Sequence, residues 1–584
     1  MVNEKLKTIK TINKQRRCTM RKKILVVGGV AGGASAAARA RRIDETAEII
    51  MFERGPHVSF SNCSLPYHLS GVVENSDWLV MMDPESFKSK YNIEARIHSE
   101  VIEIKRDEKK IVIKNQLTEE TYEEEYDKLV LSPGANPILP QSIEGIHNEN
   151  VFVVRNVVDI KKLKAYIDAN AVKKAVVVGG GFIGVEVAEN MHMAGIHVSL
   201  VEALNQVMGP FDFDMAQILH KEMLDKGIDL IVSDGIEKVD DHSIRLQSGR
   251  EVEADLVVMS IGVYPETALA KQAGLEIGET GGIKVDHNYL TSDSDIYAVG
   301  DAIEVYHQLT HRPTRLALAG PAQRQARAAA DHIFGKSHTN KGVIGSSVVR
   351  VFDMNAASTG LNEKTAQQAN IAYDFVYVMP GDKVGLIPDA STMHFKLIFE
   401  YPTGRILGAQ AIGKGNVDKR IDVIATMITM GGTLEDLKEL ELCYSPLFGT
   451  AKDVVNFAAL VGLNILDGVV KQVPVSQVRS LVENNAKIID VREKGEYAYG
   501  HLKNAINIPL SELRERIDEV PKDQTVYLHC RSSQRSYNAI MALQGLGYKN
   551  VVNISGSFLG ICYYEYFQDI SQKREPIVTQ YNFN

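Results

Sequence analysis

The 584-residue sequence is poor in cysteine: Cys18, Cys63, Cys443, Cys530 and Cys562 are the five, and none forms a CxxC pair. So few scattered cysteines exclude a disulfide framework, and without a Cys/His cluster no metal site is expected. Long apolar runs are absent too; none approaches the ~18 residues of a membrane span. The first twenty residues, MVNEKLKTIKTINKQRRCTM, lack the apolar core of a secretory signal. They are expected to be a basic, disordered leader, or to follow from an upstream start codon, since Met20 opens MRKKILVVGG as a natural start would. Nor is there an excess of positive charge. A net charge of −9 removes any general attraction to nucleic acid or to an anionic membrane. The remaining composition, 45% hydrophobic and 24% charged, can bury several cores. At ~150 residues per domain, about four domains are expected. The location implied is the cytoplasm, where a cysteine is either buried and inert or reactive.

Two segments carry a nucleotide-binding pattern. Ile24 to Val27 reads as a strand, Gly28-Gly29-Val30-Ala31-Gly32-Gly33 as a glycine-rich turn and Ala34 to Arg42 as a helix. A second strand, Ile49 to Phe52, is closed by Glu53. Glycines let the backbone approach a pyrophosphate, the helix N-terminus offers unpaired N–H groups, and the acid bonds a ribose hydroxyl. Gly28 and Gly33 match the outer glycines of GxGxxG, with Val30 at the middle position. The second unit matches fully through Gly179, Gly181 and Gly184, between the strands Ala175 to Val178 and His197 to Val201. It ends in Glu202. A carboxylate there accepts from a free 2′-hydroxyl and repels a 2′-phosphate, and Ala203-Leu204-Asn205 offers no arginine. NADH is therefore expected over NADPH. Two units imply two dinucleotides, with one domain nested between the halves of the other.

The segment Thr291-Ser292-Asp293-Ser294-Asp295-Ile296-Tyr297-Ala298-Val299-Gly300-Asp301 resembles the second flavin motif of the two-dinucleotide flavoprotein disulfide reductases. Leu131-Ser132-Pro133-Gly134-Ala135 and Ser260-Ile261-Gly262-Val263-Tyr264-Pro265 resemble that family's crossovers between its FAD and NAD domains. The resemblance spans roughly residues 22–340. It implies FAD as cofactor, Asp301 on the ribitol, and Gly134 and Gly262 at the crossovers.

Ser59-Phe60-Ser61-Asn62-Cys63-Ser64-Leu65-Pro66-Tyr67 follows the second strand. Dithiol members of the superfamily carry two cysteines five positions apart, and here the partner position is Val58. Cys63 must therefore work alone, through a bonded mixed disulfide, persulfide or sulfenic acid that is reduced by NADH by way of the flavin. The SFxNCxLPY pattern resembles coenzyme A-disulfide reductase and its persulfide-reducing relatives. Single-cysteine NADH peroxidases and oxidases are the alternative. They carry a histidine in the first glycine-rich turn, where this sequence has Ala31, which argues against peroxide or oxygen as the main oxidant. The resemblance maps coenzyme A contacts onto Ser35, Arg39, Arg42, Ser59, Asn62, Lys90 and Lys452. Arg39 and Arg42 lie one turn apart, so one helix face could clamp phosphates.

Residues 341 to about 465 resemble the reductase interface domain, which implies a homodimer. Glu441-Leu442-Cys443-Tyr444-Ser445-Pro446 resembles the segment whose tyrosine, here Tyr444, reaches the other subunit's redox cysteine. Cys443 beside it is expected to be a packing residue. A second family tyrosine aligns with Leu386-Ile387, both aliphatic here, which shifts the expected substrate from coenzyme A disulfide toward coenzyme A persulfide or polysulfide.

Lys487-Ile488-Ile489-Asp490-Val491-Arg492, the stretch Gly500 to Pro509, and the strand Val526 to His529 leading into Cys530-Arg531-Ser532-Ser533-Gln534-Arg535-Ser536 resemble a rhodanese domain. A cysteine between a strand end and a helix start sees several backbone N–H groups, which stabilise a persulfide anion. Arg531 and Arg535 are expected to add positive charge. Four residues separate Cys530 from Arg535, where look-alike phosphatases need five, and the tighter loop suits sulfane sulfur. The fold expected is α/β: two nested Rossmann-like dinucleotide-binding domains, an α+β dimerisation domain and a C-terminal α/β rhodanese domain. The expected boundaries are 21–134 and 291–340 for FAD, 135–290 for NAD, 341–465 for the interface, 466–474 for a linker and 475–575 for the rhodanese domain. A reading from another class is a sulfur-binding redox sensor in which turnover is incidental.

Overall fold

A computed structural model describes residues 21–583; the leader with Cys18 and Met20 lies outside the described residues. The chain divides into two compact units. One contains the residues up to Leu139 together with Phe152–Ala171 and Ile261–Val343, and the other contains Pro140–Val151, Val172–Ser260 and the chain from Ile344 onward.

The first unit is built on a five-stranded parallel sheet ordered Ile296–Ala298, Lys128–Leu131, Lys23–Val27, Glu48–Phe52, Glu94–Arg96. Its central strands are buried without alternation, as expected of a parallel sheet covered on both faces. Two alanine-rich helices, Ala31–Ile43 and Ala319–Ile333, pack on one another. The glycine-rich turn is a steric necessity: Gly28 has φ +94°, and a Cβ there would overlap the Ser132 carbonyl. The two crossover segments pair antiparallel, Ala135–Pro137 with Val263–Pro265.

The second unit carries three larger sheets. A parallel sheet includes Asp229–Val232, His197–Glu202, Lys174–Val178 and Leu256–Met259, in that order. An antiparallel sheet runs Ser347–Val351, Met354–Gly360, Ile406–Gly413, His394–Glu400, Tyr373–Val378. The third sheet is parallel and ordered Gln472–Val473, Val551–Ile554, Val526–His529, Lys487–Asp490, Ile506–Asn507. Gln472–Val473 comes from the segment expected to be linker, and Val578 pairs with Leu502, so the C-terminal domain draws in residues on both sides of 475–575.

The C-terminal domain is docked, not tethered. Its last helix, Ser557–Gln572, packs against the helix Phe213–Asp225 of the second nucleotide unit. Phe213 meets Tyr564 edge-on and His220 meets Phe567, while Tyr563 packs on His394 of the antiparallel sheet. Close beside this seam, Lys396 is 1% exposed. Its Nζ lies 2.9 Å from Asp214, 3.2 Å from Asp212 and 2.5 Å from Glu363. Burial opposes its charge, but the three carboxylates outweigh burial and hold its pKa well above the usual lysine range. The ammonium thus fills the one carboxylate cluster among the described residues close enough to hold a metal ion. Lys396→Met should strand those acids and cost about 3–5 kcal/mol. The check is a lower thermal transition of the holoenzyme, partly restored when Asp214→Asn is added.

Candidate active sites

Cys63 sits exposed in a single 3-10 turn, Asn62–Ser64. The residues before it are held from two sides. The Ser59 N–H donates to the Gly29 carbonyl (2.8 Å), the Met81 N–H to Ser59 (2.7 Å) and the Ser61 N–H to Leu79 (2.8 Å). The backbone leading to the thiol is therefore tied to the glycine-rich turn through Ser59. Val58 is fully buried, and a Cβ on Gly29 would meet its Cγ1 at 2.6 Å. The position at which dithiol relatives carry a second cysteine is here a packing position.

The surroundings fit two dinucleotides. The helices Ala31–Ile43 and Phe182–Met193 both begin without a side-chain cap, which leaves first-turn N–H groups for a pyrophosphate. Glu53 accepts from the N–H groups of Gly29 and Gly55, both at 2.9 Å, and Glu202 from those of Gly180 (2.7 Å) and Leu204 (2.8 Å). The backbone aims each carboxylate, whose remaining lone pairs can accept ribose hydroxyls. At Gly184 a Cβ would overlap the Gly179 carbonyl, whereas Gly181 borders open space. Asp301 is half-buried at a strand end, and burial alone raises its pKa. A carboxylate placed this way suits a hydroxylated ligand. Gly134 (φ +77°) and Gly262 (φ +117°) turn the chain at the crossovers.

Of the seven residues mapped to coenzyme A, six belong to the first unit and Lys452 to the second. Ser35 and Ser59 are partly exposed, and Arg42, Asn62 and Lys90 are exposed, all in the first unit; Lys452 is exposed in the second. Arg39 is held by Asp331, with Nε–Oδ1 2.7 Å, so Arg42 is the open cation on that helix. Sequence reasoning missed Arg155. Its carbonyl accepts from Asn62 Nδ2 at 3.2 Å, beside Cys63, and its guanidinium donates to Asn136 at 2.6 Å. No local motif marks it.

In the second unit Tyr444 is 52% exposed, with Leu447 and Phe448 exposed beside it. Val384 N–H donates to the Pro446 carbonyl at 3.4 Å, and Leu386, two residues on, is 89% exposed. Cys443 is exposed rather than packed.

Cys530 ends the strand Val526–His529 and is 1% exposed. Its N–H donates to Ser557 Oγ at 3.3 Å, and Ser533 Oγ lies 3.0 Å from the same hydroxyl. The N–H groups of Arg531, Ser532 and Ser533 meet no protein acceptor among the described residues. Successive unpaired N–H groups ending in a left-handed residue, Ser533 at φ +72°, are the pattern that can cradle an anion. Arg535 does not add free charge there, because Glu496 holds it in a fork at 2.6 and 2.8 Å. Arg531 is half-buried and forms no such pair. Sequence reasoning missed Glu496, as it missed the buried Asp490–Arg492 pair (2.6 Å) under the loop.

Residues 22–326, more than half of the chain, match the family described as pyridine nucleotide-disulphide oxidoreductase. The chain belongs to that family. Residues 346–453 of the oxidoreductase match the family's dimerisation domain, and 475–562 match a rhodanese-like domain. It is a flavoprotein disulfide oxidoreductase with a sulfurtransferase-type module. Its fold is similar to the crystal structure of reduced Bacillus anthracis CoADR-RHD, at 46% identity and TM-score 0.91, covering 94% of this chain and 99% of that one. A NAD-dependent persulfide reductase from A. fulgidus is similar at 34% identity and TM-score 0.87, over 92% of this chain and 99% of its own. Coenzyme A disulfide reductase of Staphylococcus epidermidis is 34% identical over 435 residues, 74% of this chain and 98% of that protein. No described helix of the oxidoreductase is long and apolar enough to cross a membrane.

Proposed function

We propose that this protein is an NADH-dependent reductase of coenzyme A disulfide, coenzyme A persulfide or polysulfide, in which Cys63 forms the adduct and Cys530 handles sulfane sulfur. The observation that carries the reading is one exposed cysteine with a buried valine at its partner position, in a chain that also presents an amide nest around Cys530. The relatives named as coenzyme A disulfide reductase and persulfide reductase support it.

When bound, FAD supplies a route for the electrons of NADH to sulfur. Gly28, Gly33, Glu53 and Asp301 would hold it, with Gly134 and Gly262 turning the chain between the nucleotide domains. Gly179, Gly181, Gly184 and Glu202 would hold NADH, and Glu202 disfavours a 2′-phosphate. The Cys63 thiolate attacks a coenzyme A disulfide, forming Cys63–S–S–CoA and releasing one coenzyme A thiolate. Two electrons and a proton then cleave that bond to the Cys63 thiolate and a second coenzyme A thiol. With coenzyme A persulfide the same attack expels hydrosulfide. Arg42, Lys90 and Lys452 supply cations for the phosphates, Arg39 could join them only by leaving Asp331, and Ser35, Ser59 and Asn62 supply polar contacts. Tyr444 belongs to the face that meets a second copy, where its phenol can donate to a departing thiolate. Cys530 accepts or supplies sulfane sulfur as a persulfide held by the loop amides, with Arg535 bracing the loop through Glu496. The domains proposed are 21–134 with 291–340 for FAD, 135–290 for NAD, 341–465 for the interface, and a C-terminal rhodanese domain that extends 475–575 to Gln472–Val473 on one side and Val578 on the other.

The test is stopped-flow reoxidation of the NADH-reduced holoenzyme. Coenzyme A disulfide, coenzyme A persulfide and polysulfide should each reoxidise it faster than hydrogen peroxide. NADPH should reduce it at least about tenfold less efficiently than NADH, one repulsive contact being worth ~1.4 kcal/mol. Reoxidation by peroxide alone would replace this reading with the peroxidase one.

A further inference from the structure

The residue before the sulfurtransferase cysteine is a histidine with an unusual environment. His529 is fully buried, with its ring stacked on Phe558 at an interplanar angle of 22°. Its Nδ1 lies 3.1 Å from the Cys530 carbonyl oxygen. That oxygen also accepts the Phe558 N–H at 3.0 Å. A carbonyl can only accept, so Nδ1 carries the proton and Nε2 the lone pair. Nε2 has no hydrogen-bond partner and lies 3.7 Å from Asp490 Oδ2, a carboxylate already engaged by Arg492. The charged and titratable groups around the ring are Asp490, Arg492 and His501. Burial lowers the pKa of the ring against the opposing pull of Asp490, which keeps the imidazole neutral. An orphaned buried nitrogen is a cost that a leucine would avoid, so the Nδ1 donor needs a reason.

We propose that His529 is a positioning residue for the sulfur on Cys530, acting through the Cys530 carbonyl. In a planar trans peptide the C=O and the following N–H point in opposite directions. With the Cys530 carbonyl pinned by His529 Nδ1 and the Phe558 N–H, the Arg531 N–H is turned to the other side. The N–H groups of Ser532 and Ser533 that follow likewise meet no protein acceptor among the described residues. His529 thus sets the first amide of the nest that stabilises a sulfur anion, without touching the sulfur itself. The inference rests on Cys530 being the residue that carries sulfane sulfur.

The experiment follows iodoacetamide alkylation of Cys530 in the holoenzyme across pH, read peptide by peptide in a mass spectrometer. Three variants are compared, with melting temperatures recorded. His529→Asn places an amide donor near Nδ1, His529→Gln places it near Nε2, and His529→Leu has none. One lost hydrogen bond to the loop predicts alkylation at pH 7 slowed about tenfold in His529→Gln and His529→Leu, with both profiles moved to higher pH. His529→Asn should stay within about threefold of the parent, because it keeps the donor. Parent-like rates and profiles in His529→Gln and His529→Leu would overturn the proposal, as would His529→Asn falling as far as His529→Leu. Failure of the parent enzyme to transfer sulfane sulfur would instead remove the role of Cys530, and it is seen separately because alkylation needs no sulfur donor.

Discussion

Cys63→Ser is expected to abolish NADH-dependent reduction of coenzyme A disulfide and persulfide, by a factor on the order of 10³ or more, as for loss of a covalent nucleophile. A serine hydroxyl is not ionised near pH 7 and forms no S–S adduct, so the two-electron step has no bond to cleave. The partner position offers no thiol, because Val58 is buried there. The flavin should remain bound, since its contacts lie on the glycine-rich turn, Glu53 and Asp301, not on the thiol. Steady-state NADH oxidation with each sulfur substrate, beside the visible flavin spectrum, provides the check. Sulfane-sulfur transfer by Cys530 should persist in this variant. Retention of coenzyme A disulfide reduction would remove Cys63 from the mechanism.

Cys530→Ser should have the complementary effect. Transfer of sulfane sulfur from thiosulfate or polysulfide to an acceptor thiol is expected to fall by a factor on the order of 10³. The amides of Arg531, Ser532 and Ser533 would remain, but with no sulfur to hold. Reduction of coenzyme A disulfide should stay within about twofold of the parent, because Cys530 lies outside the nucleotide-binding residues and surface or remote changes rarely exceed ~0.5 kcal/mol. Two separate assays on the same preparation decide it. Unchanged turnover with every sulfur donor would leave the C-terminal domain without a part in the cycle.

Much of the chemistry was legible in sequence because it is local. A turn that a Cβ cannot enter must be glycine, so Gly28 and Gly184 announce a nucleotide-binding turn wherever they occur. The acids Glu53 and Glu202 follow at the end of the next strand, and the structure shows the backbone donors that aim them. Cys530 between a strand and a helix likewise carries its nest with it. Charge pairing was not legible in the same way. Arg535 read as a free cation and is neutralised by Glu496, 39 residues earlier. Arg39 read as an open phosphate clamp and is engaged by Asp331, 292 residues later.

The sequence by itself determined the family, a pyridine nucleotide-disulphide oxidoreductase with a rhodanese-like domain, and pointed to Cys63 and Cys530 as the proposed sulfur-handling residues. Each rests on residues close together in the chain, where stereochemistry permits few alternatives. Only the tertiary structure decided which cations are available, that Lys396 is locked among three acids, that Ser557–Gln572 docks on Phe213–Asp225, and that His529 supports the carbonyl behind Cys530. The physical reason is that a charge or a hydrogen-bonding group acquires its role from partners that folding brings from distant segments, and no local spacing encodes them.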